Sequence, residues 1–230
     1  MRRPLILAAH GTDSHAGRTS FARFVNAVRR AVKGAEVQDA FVDLEEPSIA
    51  EVLASTSGPR TVVPMMLFGD ATAQSSITAA ASDPLVTITP SLGPDWVLAE
   101  VGVRRLIEAG ARPDDSILLA TGVVSDAQAV EEVGRAARLL SAVWGGRVHV
   151  GTLGGPDTSL GDAVDIARAY GGRVVVASYV LTGGSVHDTF REVGADVVTA
   201  PLLDDEAPDP RLVDLVLARE QARSQSYADF

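Results

Sequence analysis

Leu5-Ile6-Leu7-Ala8-Ala9-His10-Gly11 decides the fold of this chain, because a short, wholly apolar run passes straight into a histidine, a glycine and the polar stretch Thr12-Asp13-Ser14. Such a run reads as a strand buried on both faces of a parallel sheet. In open α/β sheets ligands bind beyond the carboxyl ends of the strands, so His10 stands where chemistry collects. An imidazole there can change protonation near neutral pH or ligate a metal. The alternative is a histidine that hydrogen-bonds a neighbouring backbone group.

The same pattern returns in the second half at an offset of roughly 111 to 114 residues, longer than solenoid periods and suited to a duplicated domain. Ile117-Leu118-Leu119-Ala120-Thr121-Gly122 matches the opening run, which sets Thr121 opposite His10. Amphipathic helices are expected after both runs, over residues 20–32 and 127–143. Pro47-Ser48-Ile49-Ala50-Glu51-Val52-Leu53 matches Thr158-Ser159-Leu160-Gly161-Asp162-Ala163-Val164, with Ser48 and Ser159 as helix openers. Arg60-Thr61-Val62-Val63-Pro64 matches Arg173-Val174-Val175-Val176-Ala177, and Val86-Thr87-Ile88-Thr89-Pro90 matches Val197-Val198-Thr199-Ala200-Pro201, each pair leading to a further loop or helix. The expected fold is α/β: two similar, internally duplicated lobes, each a parallel sheet of about four strands flanked by helices. The Gly-, Pro- and Asp-bearing stretch Ala109-Gly110-Ala111-Arg112-Pro113-Asp114-Asp115 reads as the linker, giving lobes over residues 1–112 and 113–230. Facing strand ends would then enclose a shared cleft. The polar tail Arg223-Ser224-Gln225-Ser226-Tyr227-Ala228-Asp229 is expected to fray.

Composition narrows the chemistry. The chain has no cysteine, which excludes disulfides, thiolate metal sites and cysteine nucleophiles, so any metal must sit on nitrogen or oxygen. A formal charge of −10 argues against nucleic-acid binding, which needs a basic face. Met1-Arg2-Arg3-Pro4 is superficially like the start of a signal peptide, but the apolar run stops at His10, and no later stretch suits a membrane span. A cytoplasmic protein without membrane contact is expected. The chain carries no G-x-G-x-x-G after its first strand, no P-loop and no G-x-S-x-G, and Gly151-Thr152-Leu153-Gly154-Gly155-Pro156 reads as a turn. Among the four histidines, His149 alternates with valines inside a strand and suits packing, and His15 suits solvent. His187 lies in another strand-end loop, Thr182-Gly183-Gly184-Ser185-Val186-His187-Asp188, where Asp188 either caps a helix or orients the ring.

His10-Gly11-Thr12, then Ala40-Phe41-Val42-Asp43-Leu44-Glu45-Glu46-Pro47-Ser48-Ile49, then Val63-Pro64-Met65-Met66-Leu67-Phe68-Gly69 appear in an order that resembles the sirohydrochlorin chelatases of the CbiX and SirB type, class II tetrapyrrole chelatases. The resemblance covers almost the whole chain, since the duplicated layout is also that of the long CbiX proteins. It implies a metal-binding and catalytic role for His10, with Asp43 at an acidic position of the family as a carboxylate for the approaching metal. The family's second histidine is absent: Thr72 stands at its expected place in Gly69-Asp70-Ala71-Thr72-Ala73. The repeat sets His187 near the duplicated position, so a metal held by His10, His187 and Asp43 across the cleft is the expectation. The competing explanation is a decayed site.

The resemblance implies a chelatase that inserts Fe2+ or Co2+, or else Ni2+, into sirohydrochlorin, on the way to sirohaem or cobalamin, with no organic cofactor. The alternatives are a degenerate relative that binds tetrapyrrole or metal without turnover and a different small-molecule enzyme on this scaffold. A neutral imidazole suits chelation, since it accepts a pyrrole proton near pH 7 and holds such cations with intermediate affinity. The carboxylates of the macrocycle would be met by helix N-termini after Gly11 and Gly184 and by Thr12, Ser14, Ser75, Ser76 and Ser185. Arg18 or Arg23 either adds charge there or is a solvated helix residue. A monomer or weak homo-oligomer is expected.

Overall fold

The computed structural model describes residues 3–32, 34 and 36–226. The first lobe runs β1 (Leu5–Ala9), α1 (His15–Ala31), β2 (Val37–Phe41), α2 (Ile49–Ser55), β3 (Arg60–Pro64), α3 (Ala71–Ala80), β4 (Val86–Ile88) and α4 (Trp96–Glu108). The second runs β5 (Ser116–Val123), α5 (Ala127–Trp144), β6 (Val148–Gly154), α6 (Leu160–Ala169), β7 (Val174–Ser178), α7 (Ser185–Arg191), β8 (Val197–Val198) and α8 (Pro210–Ser226). The strands form two four-stranded sheets of identical order, β2-β1-β3-β4 and β6-β5-β7-β8, and every pairing is parallel. The duplicated α/β fold expected from the sequence is the one observed.

Local chemistry sets the helix starts. Ser48 accepts from the Glu51 backbone N–H while Glu51 reaches back to Ser48, a reciprocal cap, and Ser159 accepts from Asp162 in the matching place. Both serines also bridge to their sheets, Ser48 with Phe41 and Ser159 with Thr152, so the repeat extends to single residues. Helix α1 begins at His15, earlier than expected, because Ser14 accepts from the Gly17 N–H and caps it there. Register corrects two further expectations. Leu5 pairs with Val37 and Thr61, and Ile117 with Val148 and Val175, which makes Gly122, not Thr121, the counterpart of His10. Residues 151–154 continue β6 and do not turn, since they pair with β5 as far as Val123 opposite Gly154.

The central strands alternate their faces. Ile6 and Ala8 face Ile49, Val52 and Ile77 in one outer cluster, and Leu118 and Ala120 face Leu160 and Phe190 in the other. Leu5, Leu7, Ile117 and Leu119 instead share a single inner cluster with Phe24, Val28, Val133, Leu140, Leu212 and Val216. The last helix of each lobe crosses to the other: α4 packs on α5 and β7, and α8 packs on α1 and β3. A boundary near residue 112 therefore lies between α4 and β5 along the chain, but cutting there would strip each sheet of a helix. Of the tail expected to fray, residues 223–226 continue α8, and residues 227–229 lie outside the described residues. Among the described residues, no helix is long and apolar enough to cross a membrane.

Arginines fasten the exchanged helices. Buried Arg105 of α4 reaches Asp204 at 2.7 Å, Glu108 at 2.8 Å and the Leu202 carbonyl at 3.2 Å. Arg219 of α8 donates to the Ser91 and Leu92 carbonyls, both at 2.9 Å, and to Asp95 at 2.8 Å. Asp209, just before α8, is buried between Arg211 at 2.7 Å and Arg104 at 3.1 Å. Burial opposes its charge, but the hydrogen bonds and charge of Arg211, helped by Arg104, prevail and hold the carboxyl at about 2 against an ordinary 3.8. A carboxylate whose folded value is depressed stabilises the fold above its unfolded value, and that stability is lost as pH falls from about 4 towards 2. Asp209→Asn is expected to lower stability near neutral pH by about 2 kcal/mol. Its melting temperature should also fall less steeply than that of the wild type between pH 4 and pH 2, as thermal unfolding across that range would record.

Candidate functional site

His10 leaves the end of β1 into a cleft of about 420 Å³ between the two sets of strand ends. The segment after β2 is sewn to β1, because Val42 N–H donates to the Ala9 carbonyl at 2.9 Å and Leu44 N–H to the His10 carbonyl at 3.0 Å. That stitching sets Asp43 beside the ring. One Asp43 oxygen accepts from Leu44 N–H at 2.8 Å, and the other lies 3.3 Å from His10 Nδ1. Asp70 divides its oxygens in the same way. Its Oδ1 caps α3 by accepting from Ala73 N–H at 2.9 Å, and its Oδ2 lies 3.3 Å from His10 Nε2. The imidazole is thus flanked by a carboxylate at each nitrogen, with all three side chains partly open to solvent. Donating to both at once requires the imidazolium, whereas a neutral ring donates to only one.

Asp70 is the functional candidate that the sequence expectations lack. Its signal was an Asp directly after the Leu67-Phe68-Gly69 strand-end loop, which a helix-capping role alone accounts for. Among the described residues, no group of three or more His, Asp or Glu is disposed to hold a metal ion.

The cleft is closed at its base by contacts between the lobes. Tyr179, fully buried after β7, donates its hydroxyl to the Leu67 carbonyl at 2.9 Å, and that burial holds the phenol well above its ordinary titration range. Thr12 Oγ1 donates to the Gly183 carbonyl at 2.7 Å, and Asp13 accepts from Ser185 N–H at 3.1 Å. The Asp13 carboxyl is held below its ordinary range, chiefly by that backbone bond. Gly69 N–H donates to Glu132 of α5. Gly17 makes this approach possible, since a Cβ there would stand 2.3 Å from the Gly183 carbonyl oxygen.

The expected anion-binding groups are mostly committed elsewhere. Thr12 and Ser185 line the cleft, but the Thr12 hydroxyl and the Ser185 N–H tie the lobes together. Ser14 lies outside the lining and caps α1. Ser75 and Ser76, like Thr72, sit along α3 outside the lining, because the helix turns them away once Asp70 has capped it. Arg18 bonds the Thr12 carbonyl at 3.2 Å and pairs with Glu45 at 3.4 Å, and Arg23 donates to the Asp205 carbonyl.

His187 does not enter the cleft, which overturns the expectation of one histidine from each lobe. Helix α7 buries His187 and Phe190, three residues apart, against the second sheet, leaving Ser185 and Val186 to face the opening. Its Nε2 donates to the Thr199 carbonyl at 2.9 Å, and its ring meets Phe190 edge-on at 6.2 Å. His15 is exposed at the start of α1, and His149 packs beside Tyr170, both as expected.

Residues 4–109 match the family model CbiX. SirB from Bacillus subtilis with Fe3+ superposes with a TM-score of 0.76 at 16% identity, covering 99% of this chain and 98% of that one. The cobalt complex of the sirohydrochlorin chelatase SirB from Bacillus subtilis subspecies spizizenii gives 0.73 at 16% identity, over 100% and 98%. CbiX, described as the terminal enzyme for biosynthesis of sirohaem in denitrifying bacteria, gives 0.65 at 15% identity, over 96% and 99%. No curated protein sequence matches the chain. The CbiX and SirB resemblance read from the motifs is borne out, and the fold is shared from end to end.

His187→Ala is expected to cost about 2 kcal/mol, since it empties a packed position and removes a hydrogen bond. Cation binding by the folded variant should stay within twofold of wild type by titration calorimetry. Lost cation binding at an unchanged melting temperature would return His187 to the site.

Proposed function

We propose that this chain, whose residues 4–109 match the CbiX family model, is a chelatase that inserts Fe2+ or Co2+ into sirohydrochlorin. The observation that carries the proposal is His10, flanked at 3.3 Å by Asp43 and by Asp70 at the mouth of an inter-lobe cleft. The shared fold of SirB and CbiX supports it.

Insertion requires that two pyrrole N–H protons leave and that a partly desolvated cation arrive. Two ligand atoms on a tetrahedral ion with bonds of about 2.1 Å stand about 3.4 Å apart. The 3.3 Å between His10 Nε2 and Asp70 would let that pair share an approaching cation while Nδ1–H stays on Asp43, a two-ligand approach point rather than a closed metal site. One nitrogen and carboxylate oxygens make a site harder than a pair of imidazoles, compatible with Fe2+ and Co2+ and with a cargo that is released. As the cation passes to the ring, His10 accepts a pyrrole proton, and a carboxylate stands at either nitrogen to stabilise the imidazolium. Asp43 and Asp70 act as metal-approach groups and positioning partners. The activity fits a cytoplasmic monomer or weak homo-oligomer with no nucleic-acid partner.

A second reading, binding of tetrapyrrole or metal without turnover, is favoured by one fact: neither Thr72 nor His187 brings a second nitrogen ligand into the cleft. Anaerobic incubation with sirohydrochlorin and Fe2+ or Co2+, followed by absorbance, separates the two readings. Wild type is expected to turn over, His10→Ala to lose insertion by at least a hundredfold, and Asp70→Asn to lose about tenfold, mainly through a raised KM for the metal. Melting temperatures should move little, because His10 is partly exposed and packs little. Wild-type turnover by His10→Ala would remove its assigned role, and spectral binding without insertion by the wild type would establish the second reading.

A further inference from the structure

The loop that carries Asp70 to the cleft belongs to the first lobe, yet its last anchors come from the second. After β3 the chain runs Met65-Met66-Leu67-Phe68-Gly69 before Asp70 caps α3. The loop begins on ties within its own lobe, where Met65 N–H donates to the Ala8 carbonyl at 2.7 Å and Gly93 N–H donates to the Met66 carbonyl at 3.1 Å. Beyond that point the partners change lobe: Tyr179 donates its hydroxyl to the Leu67 carbonyl, and Gly69 N–H donates to Glu132 Oε2 on α5. The other Glu132 oxygen accepts from Gln128 Nε2 at 3.0 Å, one helical turn back, so the half-buried carboxylate is held at both oxygens. Gly69 leaves room for this approach, since a Cβ there would stand 3.1 Å from Glu132 Oε2. Glu132 itself lies outside the lining of the cleft.

We propose that Glu132 is a positioning residue for metal delivery: by holding the Gly69 N–H from the second lobe, it aims the Asp70 carboxylate at His10. The inference rests on the chelatase reading and deepens it, because it makes the cation-approach point of the first lobe depend on the docking of the second. A bond from a backbone N–H to a carboxylate is charge-assisted and directional. It acts on the residue that directly precedes Asp70 and that has, as a glycine, the widest backbone freedom. Without it the Gly69 peptide is free to turn, and Asp70 Oδ2 leaves its place 3.3 Å from His10 Nε2 in part of the population, while Oδ1 goes on capping α3. A ligand misplaced by about 1 Å is enough to weaken a site severalfold.

The test varies Co2+ at saturating sirohydrochlorin in anaerobic insertion assays of the full chain, and titrates Co2+ into each protein alone by calorimetry. Glu132→Ala is expected to raise the KM for Co2+ about fivefold and to weaken Co2+ binding in parallel, while kcat and the KM for sirohydrochlorin stay within about twofold of wild type. Glu132→Gln keeps a carbonyl oxygen for the Gly69 N–H, and Gln128 can turn its amide to meet the new NH2 group, so this variant should restore the KM for Co2+ to within about twofold of wild type. Glu132→Ala added to Asp70→Asn should cost nothing beyond Asp70→Asn alone, because the group through which Glu132 acts has already been changed. A Gln variant as impaired as the Ala variant would assign Glu132 a role through charge at a distance, and additive losses in the double variant would assign it a role elsewhere. Either result, or a wild-type KM for Co2+ in Glu132→Ala, would overturn the proposal. Co2+ binding weakened by Ala and restored by Gln in a protein that inserts no metal supports the positioning role and refutes the chelatase reading. A wild type that neither binds nor inserts Co2+ refutes the two together.

Discussion

Leu5 and Leu7 of β1 and Ile117 and Leu119 of β5 lie in one buried cluster, so neither sheet has a dry inner face without the other. Helices α4 and α8 enforce this by crossing between lobes, each completing the apolar cover of the sheet it did not follow in the chain. Interiors packed at crystal-like density transmit displacement, and a slip of one lobe would open voids along the whole inner layer. The strand ends across the cleft are thereby held at a fixed separation, so that Val123 and Val186 of the second lobe keep their place opposite His10 and Asp70 of the first. Arg105, Arg219 and the Asp209 pairs add directional locks where the exchanged helices dock.

Within that frame the site is positioned by economical use of carboxylates. Asp43 and Asp70 each spend one oxygen on a backbone N–H and present the other to His10. A carboxylate fixed in this way needs little reordering when a cation arrives, which lowers the entropic cost of binding. The ion pairs are half-exposed and contribute little to stability. Their value lies in geometry and in the local negative potential.

Much of this was legible in the sequence, because the signals that encode buried parallel strands are short apolar runs and the runs recur in order. Ser48 and Ser159 opened their helices as their hydroxyls and spacing implied. Four features were not legible, for separate physical reasons. The crossing of α4 and α8 leaves no trace in periodicity, since an amphipathic face looks the same whichever sheet it covers. The alignment of Thr121 with His10 slipped by one residue, and in a strand one residue reverses the face. His187 was judged by its place in a loop, whereas its spacing from Phe190 is the i, i+3 pattern of a helix face buried on a sheet. Asp70 was hidden by its own double use, because an Asp before a helix is accounted for by capping alone.

Duplication followed by divergence has given the two lobes unlike surfaces at the cleft. Every histidine, aspartate and glutamate in the described lining belongs to the first lobe: His10, Asp13, Asp43, Glu45 and Asp70. The second lobe offers Val123, Val180, Leu181 and Val186, glycines, and a few hydroxyl groups, and it puts Gly122 where the first has His10. Thr121 beside it is fully buried, and its hydroxyl has no partner among the described residues. A planar ring seated between such walls meets polar groups on one face and apolar groups on the other. Under the proposed function, metal delivery and proton removal would fall to the first lobe, while the second would contribute a dry support for the ring opposite His10. On that reading a single histidine at the site needs no second from across the cleft, because the opposing lobe would act through surface contact with the ring rather than through ligation.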